Sequence, residues 1–381
     1  MRLLLTGLPI RSHLVPALVP VARAAQAAGH EVAIATGAAV AADLGRLGVP
    51  VVVLPDVLAP GELGRRPELL DRALLAKMRH WRPEVTGPLD VPLFNDTLTA
   101  EFAANLLEAA KTWRPDVIVR ETNEYGGLLA AEVLGVPSAV VDIAPLIGRL
   151  VPDLAERLDV LRAGLGTAGR TSARLTAGLL PEAWYPDDLR RPGHRYYRVP
   201  EPAVAPPGAG PVVLAGFGSN VPSMLSADSA LMATTVAALG SLDVPAVVAL
   251  GSDEAVASWA GPRPANVELA GFVPQRALLG AAGVFLTHAG FAGVREALTA
   301  GVPMVAVPLF ADQPANAERV HELGVGVRVD VAGLTAETLA VAVSRVLGEP
   351  SYRSAALEFR RRIGDQPPIT EFVTDLEAPA G

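Results

Sequence analysis

The sequence of 381 residues contains no cysteine, few aromatic residues (5%) and no long apolar run. Without cysteine the chain cannot form disulfides, zinc–thiolate sites or iron–sulfur clusters, and it cannot use a thiol as a nucleophile. No stretch reaches the roughly 18 apolar residues that span a membrane, and the apolar strand after Arg2 is too short for a signal peptide. We therefore expect a cytoplasmic protein without a membrane span.

Other absences exclude further classes of protein. The net charge of -8 argues against a nucleic-acid-binding protein, which usually carries a basic patch. The chain has no G-x-x-x-x-G-K, which excludes a P-loop nucleotidase, and no Asp-x-Asp triplet, which argues against a metal clamp on a pyrophosphate. Its G-x-G-x-x-G, at residues 164–169, follows a helical pattern rather than a strand and so lacks the context of a dinucleotide site.

Short apolar strands alternate with helical patterns in both halves of the chain, starting at residues 3–6 and again at 211–215. This alternation indicates parallel sheets covered by helices on both faces. A stretch rich in proline and glycine at 200–210 cannot join a central strand, so we predict a linker there. The predicted organisation is an N-terminal domain (1–199), this linker, a C-terminal domain (211–350) and a tail (351–381), with the active site between two doubly wound domains.

The most informative segment is 271–324. An apolar strand over 284–287 runs into the small-residue turn H-A-G-F-A-G, which opens a helix, and a second strand over 304–307 runs into Asp312 and Gln313. A helix N-terminus presents unpaired N–H groups that suit a phosphate, and His288 can add a donor or a positive charge. Glu296, Asp312 and Gln313 suit hydroxyl groups. Phosphate and polyol together suggest a sugar nucleotide.

The same segment resembles the donor-binding signature of the GT-B glycosyltransferases of the UDP-glycosyltransferase-like family, above all the actinomycete enzymes that attach sugars to natural products. The matching residues are Phe272, Val273, Pro274 and Gln275; His288, Gly290, Ala292, Gly293, Glu296 and Ala297; Gly301, Val302 and Pro303; and Pro308, Asp312, Gln313, Asn316 and Ala317. Two positions depart from the family pattern. Ala292 stands where the family has Gly or Asn, and Gly293 replaces a Ser or Thr, so the hydroxyl that would bond a phosphate oxygen is missing.

The resemblance implies a GT-B fold, an α/β architecture in which two doubly wound Rossmann-like domains face each other across a cleft, with the tail packing back on the N-terminal domain. It also implies catalytic roles in the first domain. His13, after the first strand, would be the general base that deprotonates the acceptor hydroxyl. Glu121, at the position of the family's Asp, would orient and stabilise the imidazole, and Glu124 competes for that role.

The resemblance assigns the nucleotide-sugar site to the second domain. Phe272, Val273 and Gln275 would bind the base, the turn from His288 through Gly290, Ala292 and Gly293 the diphosphate, Glu296 the ribose, and Asp312 and Gln313 the transferred sugar. Gly218 and Ser219 would lie near the phosphates, although a plain strand-to-helix turn with a serine cap explains them equally well. Phe94, Leu146, Ile147 and Trp81 lie in segments expected to shape the acceptor pocket.

From this resemblance we expect an inverting, metal-independent glycosyltransferase of antibiotic or other natural-product biosynthesis. It would move a sugar from a TDP- or UDP-sugar to a hydrophobic small-molecule acceptor, and we favour a deoxysugar over a hexose. We expect neither a cofactor nor a nucleic-acid partner. The sequence is compatible with a homodimer. Two alternatives remain: a non-catalytic GT-B auxiliary protein that activates a partner enzyme, and a sugar-nucleotide epimerase.

Overall fold

The computed structural model describes residues 1–69, 72–91, 94–167, 173–190, 193–200, 212–218, 221–226 and 229–378. Its strands are β1 (Arg2–Thr6), β2 (Glu31–Gly37), β3 (Val51–Leu54), β4 (Val117–Glu121), β5 (Ser138–Asp142), β6 (Leu175–Gly178), β7 (His194–Tyr196), β8 (Val212–Gly216), β9 (Ala246–Ala249), β10 (Val267–Ala270), β11 (Ala282–Thr287), β12 (Met304–Ala306) and β13 (Gly326–Arg328).

The helices are α1 (Arg11–His13), α2 (Val19–Ala27), α3 (Ala41–Arg46), α4 (Arg72–Arg79), α5 (Pro83–Thr86), α6 (Asp96–Trp113), α7 (Gly126–Leu134), α8 (Ile147–Leu150), α9 (Leu154–Gly164), α10 (Val221–Met224), α11 (Leu231–Gly240), α12 (Asp253–Ala257), α13 (Gln275–Leu279), α14 (Phe291–Ala300), α15 (Gln313–Glu322), α16 (Ala336–Gly348), α17 (Pro350–Gly364) and α18 (Ile369–Glu377). A π-helical turn, Leu14–Leu18, joins α1 to α2. None of the helices in the described ranges is both long and apolar enough to cross a membrane.

The chain divides into two compact units. Unit 1 comprises Met1–Leu70, Pro92–Pro200 and Asp365–Gly381, and unit 2 comprises Asp71–Val91 and Glu201–Gly364. The segment Asp71–Val91, which we assigned to the N-terminal domain, therefore belongs to unit 2. Of the predicted tail, α17 belongs to unit 2 and α18 to unit 1. The predicted linker, apart from Pro200, lies outside the described residues.

The described strands of unit 1 form a seven-stranded parallel sheet in the order β3-β2-β1-β4-β5-β6-β7. Three consecutive leucines of β1 are fully buried, as expected for a central parallel strand covered on both faces. Strand order reverses between β1 and β4, so the loops that follow these two strands turn to opposite sides and leave a crevice at their carboxyl ends. We call this place the reversal point of unit 1.

Unit 2 has a parallel sheet in the order β10-β9-β8-β11-β12-β13, again counting the described strands. Its reversal point lies between β8 and β11. The turns at residues 216–218 and 288–290 follow these strands, and the turn at 311–313 follows β12. The sheet therefore brings the predicted phosphate and sugar residues to one edge.

A contact between distant residues determines where one helix starts. α11 begins at Leu231. Glu84 accepts hydrogen bonds from the Ser229 hydroxyl (3.0 Å) and the Ala230 N–H (2.8 Å). A carboxylate 145 residues away thus satisfies the donors at the start of this helix, and the local sequence does not show it.

Candidate active site

The reversal point of unit 1 holds an imidazole–carboxylate pair. His13 ends α1, just after β1, and Glu121 is the last residue of β4. His13 Nδ1 lies 3.4 Å from Glu121 Oε1; the His13 side chain is 24% exposed and the Glu121 side chain is fully buried. Because Nδ1 faces the carboxylate, Nε2 is the ring nitrogen left to accept a proton from a ligand.

Backbone donors hold the Glu121 carboxylate in this position. The N–H of Asn123 donates to Oε2 (2.6 Å) and the N–H of Leu8 donates to Oε1 (3.4 Å). A fully buried carboxylate needs such partners to remain charged. The geometry therefore supplies a fixed acceptor for the His13 ring.

Glu124, the competing candidate, faces other groups. Its carboxylate accepts hydrogen bonds from the Thr6 hydroxyl (2.5 Å) and the Gly127 N–H (2.7 Å). Burial raises the pKa of Glu124 to about 7, although these two hydrogen bonds and the Arg120 guanidinium act in the opposite direction. Glu121, not Glu124, is thus the carboxylate paired with His13.

The reversal point of unit 2 is built from backbone turns. Gly290 is the N-cap of α14 in extended conformation, and Ala289 before it has a φ of 63°. A Cβ at Gly290 would lie 2.7 Å from His288 Nε2, and one at Gly218 would lie 3.0 Å from His288 Cε1. Both positions therefore require glycine for the imidazole to sit between the turns, while the first N–H groups of α14 point out of the helix.

His288 is neutral at physiological pH. Burial lowers the pKa of this imidazole to about 4, while a hydrogen bond to the Gly216 backbone acts in the opposite direction. Of the two roles considered from the sequence, the positive charge is therefore absent from the free site.

The residues predicted for the base and ribose form a connected group. Phe272 follows β10 and is 77% exposed, which leaves its ring face open to stacking. Gln275 begins α13, and its Nε2 donates to Glu296 Oε2 (2.8 Å). Arg276 Nε donates to the other oxygen of the same carboxylate (2.7 Å). Val273 contributes its backbone carbonyl to the turn that starts α13, accepting from the Gln275 N–H (2.8 Å).

The two departures from the family pattern lie in the first turn of α14, at Ala292 and Gly293. A Cβ added to Gly293 would meet Phe285, Thr287 and Gln275 at 3.5–3.8 Å, which is ordinary van der Waals contact. The site therefore has room for a Cβ at this position, and crowding at the Cβ does not explain the glycine.

The residues predicted for the sugar follow β12. Asp312 is the N-cap of α15, and its Oδ2 accepts a hydrogen bond from Asn316 Nδ2 (2.8 Å). Gln313 Oε1 accepts from the N–H groups of Leu309 (3.0 Å) and Phe310 (3.1 Å). The oxygen of Gln313 is thus engaged within the turn, and only its amide nitrogen can serve a sugar hydroxyl.

The structure corrects or leaves out some predicted residues. Trp81 belongs to the core of unit 2 at 2% exposure and donates its Nε1–H to the Gly87 carbonyl (3.3 Å), so it is not an acceptor-pocket residue. Phe94 and Ile147 pack in a core cluster of unit 1, and Leu146 is 3% exposed. Ser219 lies outside the described residues. Within the described ranges, no three His, Cys, Asp or Glu side chains come together to hold a metal ion.

Two residues of this site received no role from the sequence. Arg276 follows the F-V-P-Q run directly and Asn316 lies in the matched motif, so their positions were visible there. Their partners, Glu296 and Ala289, are 20 and 27 residues away in the chain, and only the fold brings them together.

Known proteins resemble this chain in sequence and in structure. A sequence model of the family described as UDP-glucoronosyl and UDP-glucosyl transferase matches residues 197–371. Aclacinomycin-T 2-deoxy-L-fucose transferase from Streptomyces galilaeus is 30% identical, over 99% of this chain and 96% of that protein. The solved structure of the glycosyltransferase SnogD from Streptomyces nogalater is 26% identical with a TM-score of 0.75 over 100% of both chains.

A second solved structure, the glycosyltransferase VinC in complex with DTDP, is 26% identical with a TM-score of 0.73 over 99% of this chain and 98% of that one. The similarity extends over the full length of the chain, both parallel sheets included. The chain therefore belongs to the UDP-glucoronosyl and UDP-glucosyl transferase family and is a glycosyltransferase with the GT-B fold, related to enzymes of actinomycete antibiotic biosynthesis.

Proposed function

We propose that this protein is an inverting, metal-independent glycosyltransferase that moves a sugar from a TDP- or UDP-sugar to a hydroxyl of a hydrophobic natural product. A TDP-deoxysugar is the donor we favour. The observation that carries the proposal is the His13–Glu121 pair at the reversal point of unit 1. No cofactor takes part.

In this mechanism His13 Nε2 accepts the proton of the acceptor hydroxyl as its oxygen attacks C1 of the donor sugar. The C1–oxygen bond to the diphosphate breaks at the same time on the opposite face, so the configuration at C1 inverts. Glu121 stabilises the imidazolium through Nδ1–H, the role of the third group in a triad. The 3.4 Å distance is long for a hydrogen bond and suits a contact that shortens when the ring becomes charged.

The donor side would be held in unit 2. The N–H groups at the start of α14 suit the diphosphate, because a helix N-terminus attracts negative charge. The neutral His288 ring has a single N–H, which faces the Gly216 backbone, so the part of His288 is to pack between the turns at Gly218 and Gly290. The exposed Phe272 ring suits a pyrimidine. The VinC complex with DTDP supports a nucleoside diphosphate as the carrier of the sugar, and the Streptomyces galilaeus relative, a 2-deoxy-L-fucose transferase, supports a deoxysugar.

The experiment measures what happens to the donor and to the acceptor. The protein is incubated with TDP- and UDP-sugars of known anomeric configuration and a panel of hydrophobic acceptors, with and without a metal chelator. Release of diphosphate should depend on the acceptor and survive chelation, and the NMR coupling constant of the anomeric proton should report inversion. A product of retained configuration would contradict the mechanism.

The same assay separates the alternatives. A sugar-nucleotide epimerase would convert the donor without any acceptor. An auxiliary protein would release no diphosphate, would bind TDP or UDP weakly if at all, and would form a stable complex with another enzyme.

A further inference from the structure

The turns that would bind the donor are joined by a buried asparagine to which the proposed reaction gives no role. Asn316 lies in α15 and is fully buried. Its Nδ2 donates one hydrogen bond to the carbonyl oxygen of Ala289 (3.1 Å) and one to Asp312 Oδ2 (2.8 Å). Ala289 belongs to the turn at residues 288–290, which we call the phosphate turn, and Asp312 to the turn at 311–313, which we call the sugar turn.

Both turns contain a residue in an unfavourable backbone conformation. Ala289 has a φ of 63° and Ala311 a φ of 55°, the left-handed region that favours glycine. Such a conformation is unfavourable for a residue with a Cβ and persists only where the surroundings enforce it. The hydrogen bond from Asn316 to the Ala289 carbonyl is one such constraint, and the bond to Asp312 acts on the residue next to Ala311.

The side chain of Asn316 is itself only partly satisfied. Its Oδ1 is buried and has no hydrogen-bond partner within the described structure. Turning the amide over would place this oxygen against the Ala289 carbonyl and the Asp312 carboxylate, both of which are acceptors, so the two N–H donors must point to the turns. A buried polar atom without a partner is unfavourable for stability. An asparagine at position 316 is therefore better explained by the geometry that it gives the two turns than by a contribution to the stability of the core.

We infer that Asn316 is a positioning residue that fixes the phosphate turn and the sugar turn relative to each other. The inference rests on the proposed function, in which these turns hold the diphosphate and the transferred sugar of one donor molecule. Asn316 touches neither group of the donor. It acts through the Ala289 carbonyl and the Asp312 carboxylate, and it sets how well the two ends of the donor are held at once.

A double-mutant cycle tests this role. The wild type, Asn316→Ala, Asp312→Ala and the double variant are titrated with TDP and with TDP-glucose as probes, and kcat is measured with TDP-glucose. Asn316→Ala should weaken TDP binding, and it should weaken TDP-glucose binding about tenfold more than TDP binding. This extra loss should vanish in the Asp312→Ala background. Misplacement of the sugar should lower kcat by about 10- to 100-fold.

Asn266→Ala is the matched control. Asn266 also lies in unit 2, and its Nδ2 contacts the carbonyls of Leu239, Leu242 and Val244 at 2.8–3.0 Å. Its removal should lower the melting temperature without changing the ratio of TDP-glucose to TDP affinity. If Asn316→Ala does not fold, Asn316→Ser, which keeps one donor, should show a smaller change in the same ratio.

The outcomes are distinct. Additive effects of the 316 and 312 substitutions on TDP-glucose binding, or an Asn316 variant that behaves like Asn266→Ala, would overturn the inference and leave the proposed function intact. A wild type that binds neither TDP, UDP nor their sugars would contradict the proposed function and remove the inference with it.

Discussion

In unit 1 the reversal point carries buried ionisable side chains, whereas in unit 2 the equivalent place is lined by backbone groups and a neutral imidazole. Glu121 and Glu124 of unit 1 are 0% and 1% exposed, and Arg120 is 7% exposed. In unit 2, glycines and left-handed alanines shape the turns, and burial keeps His288 uncharged. The same sheet feature thus provides a group that can take up a proton in one unit and a set of N–H donors in the other.

This difference follows from what each site must do. Moving a proton needs a side chain that changes its charge, and a buried carboxylate keeps the resulting imidazolium stable. Binding a diphosphate that is already charged needs oriented donors rather than a titrating group. The comparison therefore predicts that substitutions in unit 1 change turnover and its dependence on pH, while substitutions in unit 2 change donor affinity.

The largest expected effect separates the two histidines. His13→Ala should lower kcat by about 10²- to 10⁴-fold, the range of general-base catalysis, and leave the Kd of TDP unchanged. His288→Ala should raise that Kd by about 10- to 100-fold, because the turns that carry the phosphate-binding N–H groups lose the ring that packs between them. Steady-state kinetics and calorimetric titration measure the two quantities. If both variants lose turnover and TDP binding alike, the division of roles between the units is wrong.

The second-largest expected effect is a dependence of stability on pH that is caused by Glu124. Its pKa is raised to about 7 in the folded protein, so its contribution to stability is complete below pH 4.5 and is lost as pH rises through 7. Glu124→Gln mimics the protonated carboxyl. It should raise the free energy of unfolding by about 1–3 kcal/mol at pH 8 and by much less at pH 5.

Denaturant unfolding of the variant and the wild type at both pH values measures this effect. Glu108→Gln is the control, since that side chain is 72% exposed, and it should show no such difference. If the difference in the free energy of unfolding between Glu124→Gln and the wild type is the same at pH 5 and pH 8, Glu124 does not carry a buried proton.

Substitutions of Phe272 test whether the exposed ring in unit 2 binds the base of the nucleotide. Phe272→Ala should raise the Kd of TDP by about 5- to 100-fold, the range for loss of one stacking contact, and Phe272→Trp should preserve or improve binding. The melting temperature should hardly change, because this ring is 77% exposed. Val341→Ala removes another exposed apolar side chain, in α16, and should not alter TDP binding. Equal affinity of wild type and Phe272→Ala would exclude Phe272 from the base site.

The smallest expected effect concerns the missing hydroxyl. Gly293→Ser should fit without a backbone shift and lower the Kd of TDP by about 2- to 10-fold, the value of one net hydrogen bond. It should also stabilise α14 by a few tenths of a kcal/mol, roughly the difference in helix propensity. Ala292→Ser puts a hydroxyl on the adjacent helix position, turned by about 100°, and should not bind the phosphate. An unchanged Kd for Gly293→Ser would mean that no phosphate oxygen lies near this position.

Much of the architecture could be predicted from the sequence because it depends on local patterns. Apolar strands alternating with helices indicated the parallel sheets, and the spaced residues from Phe272 to Gln313 indicated the donor-binding segment. His13 and Glu121 were selected by the family resemblance, and the structure places them after β1 and at the end of β4, at the carboxyl ends of parallel strands.

What could not be predicted depends on contacts between distant residues. The segment containing Trp81 reads as part of the first half, but Trp81 packs with Phe310 in unit 2 with ring centroids 6.0 Å apart. The start of α11 depends on Glu84, and the shape of the phosphate turn depends on Asn316. The charge of His288 depends on burial. The sequence around each of these residues shows neither its distant partner nor its burial.

The π-helical turn Leu14–Leu18 has a consequence for how this chain can vary. It sits between His13 and α2, and Pro16 within it cannot donate a backbone hydrogen bond. A π-helical turn holds one residue more than an α-helical turn, so the loss of one residue here can be accommodated by a regular α-helical turn before α2. Such a change alters the rotation of the chain between α2 and His13, and with it the direction in which the imidazole points.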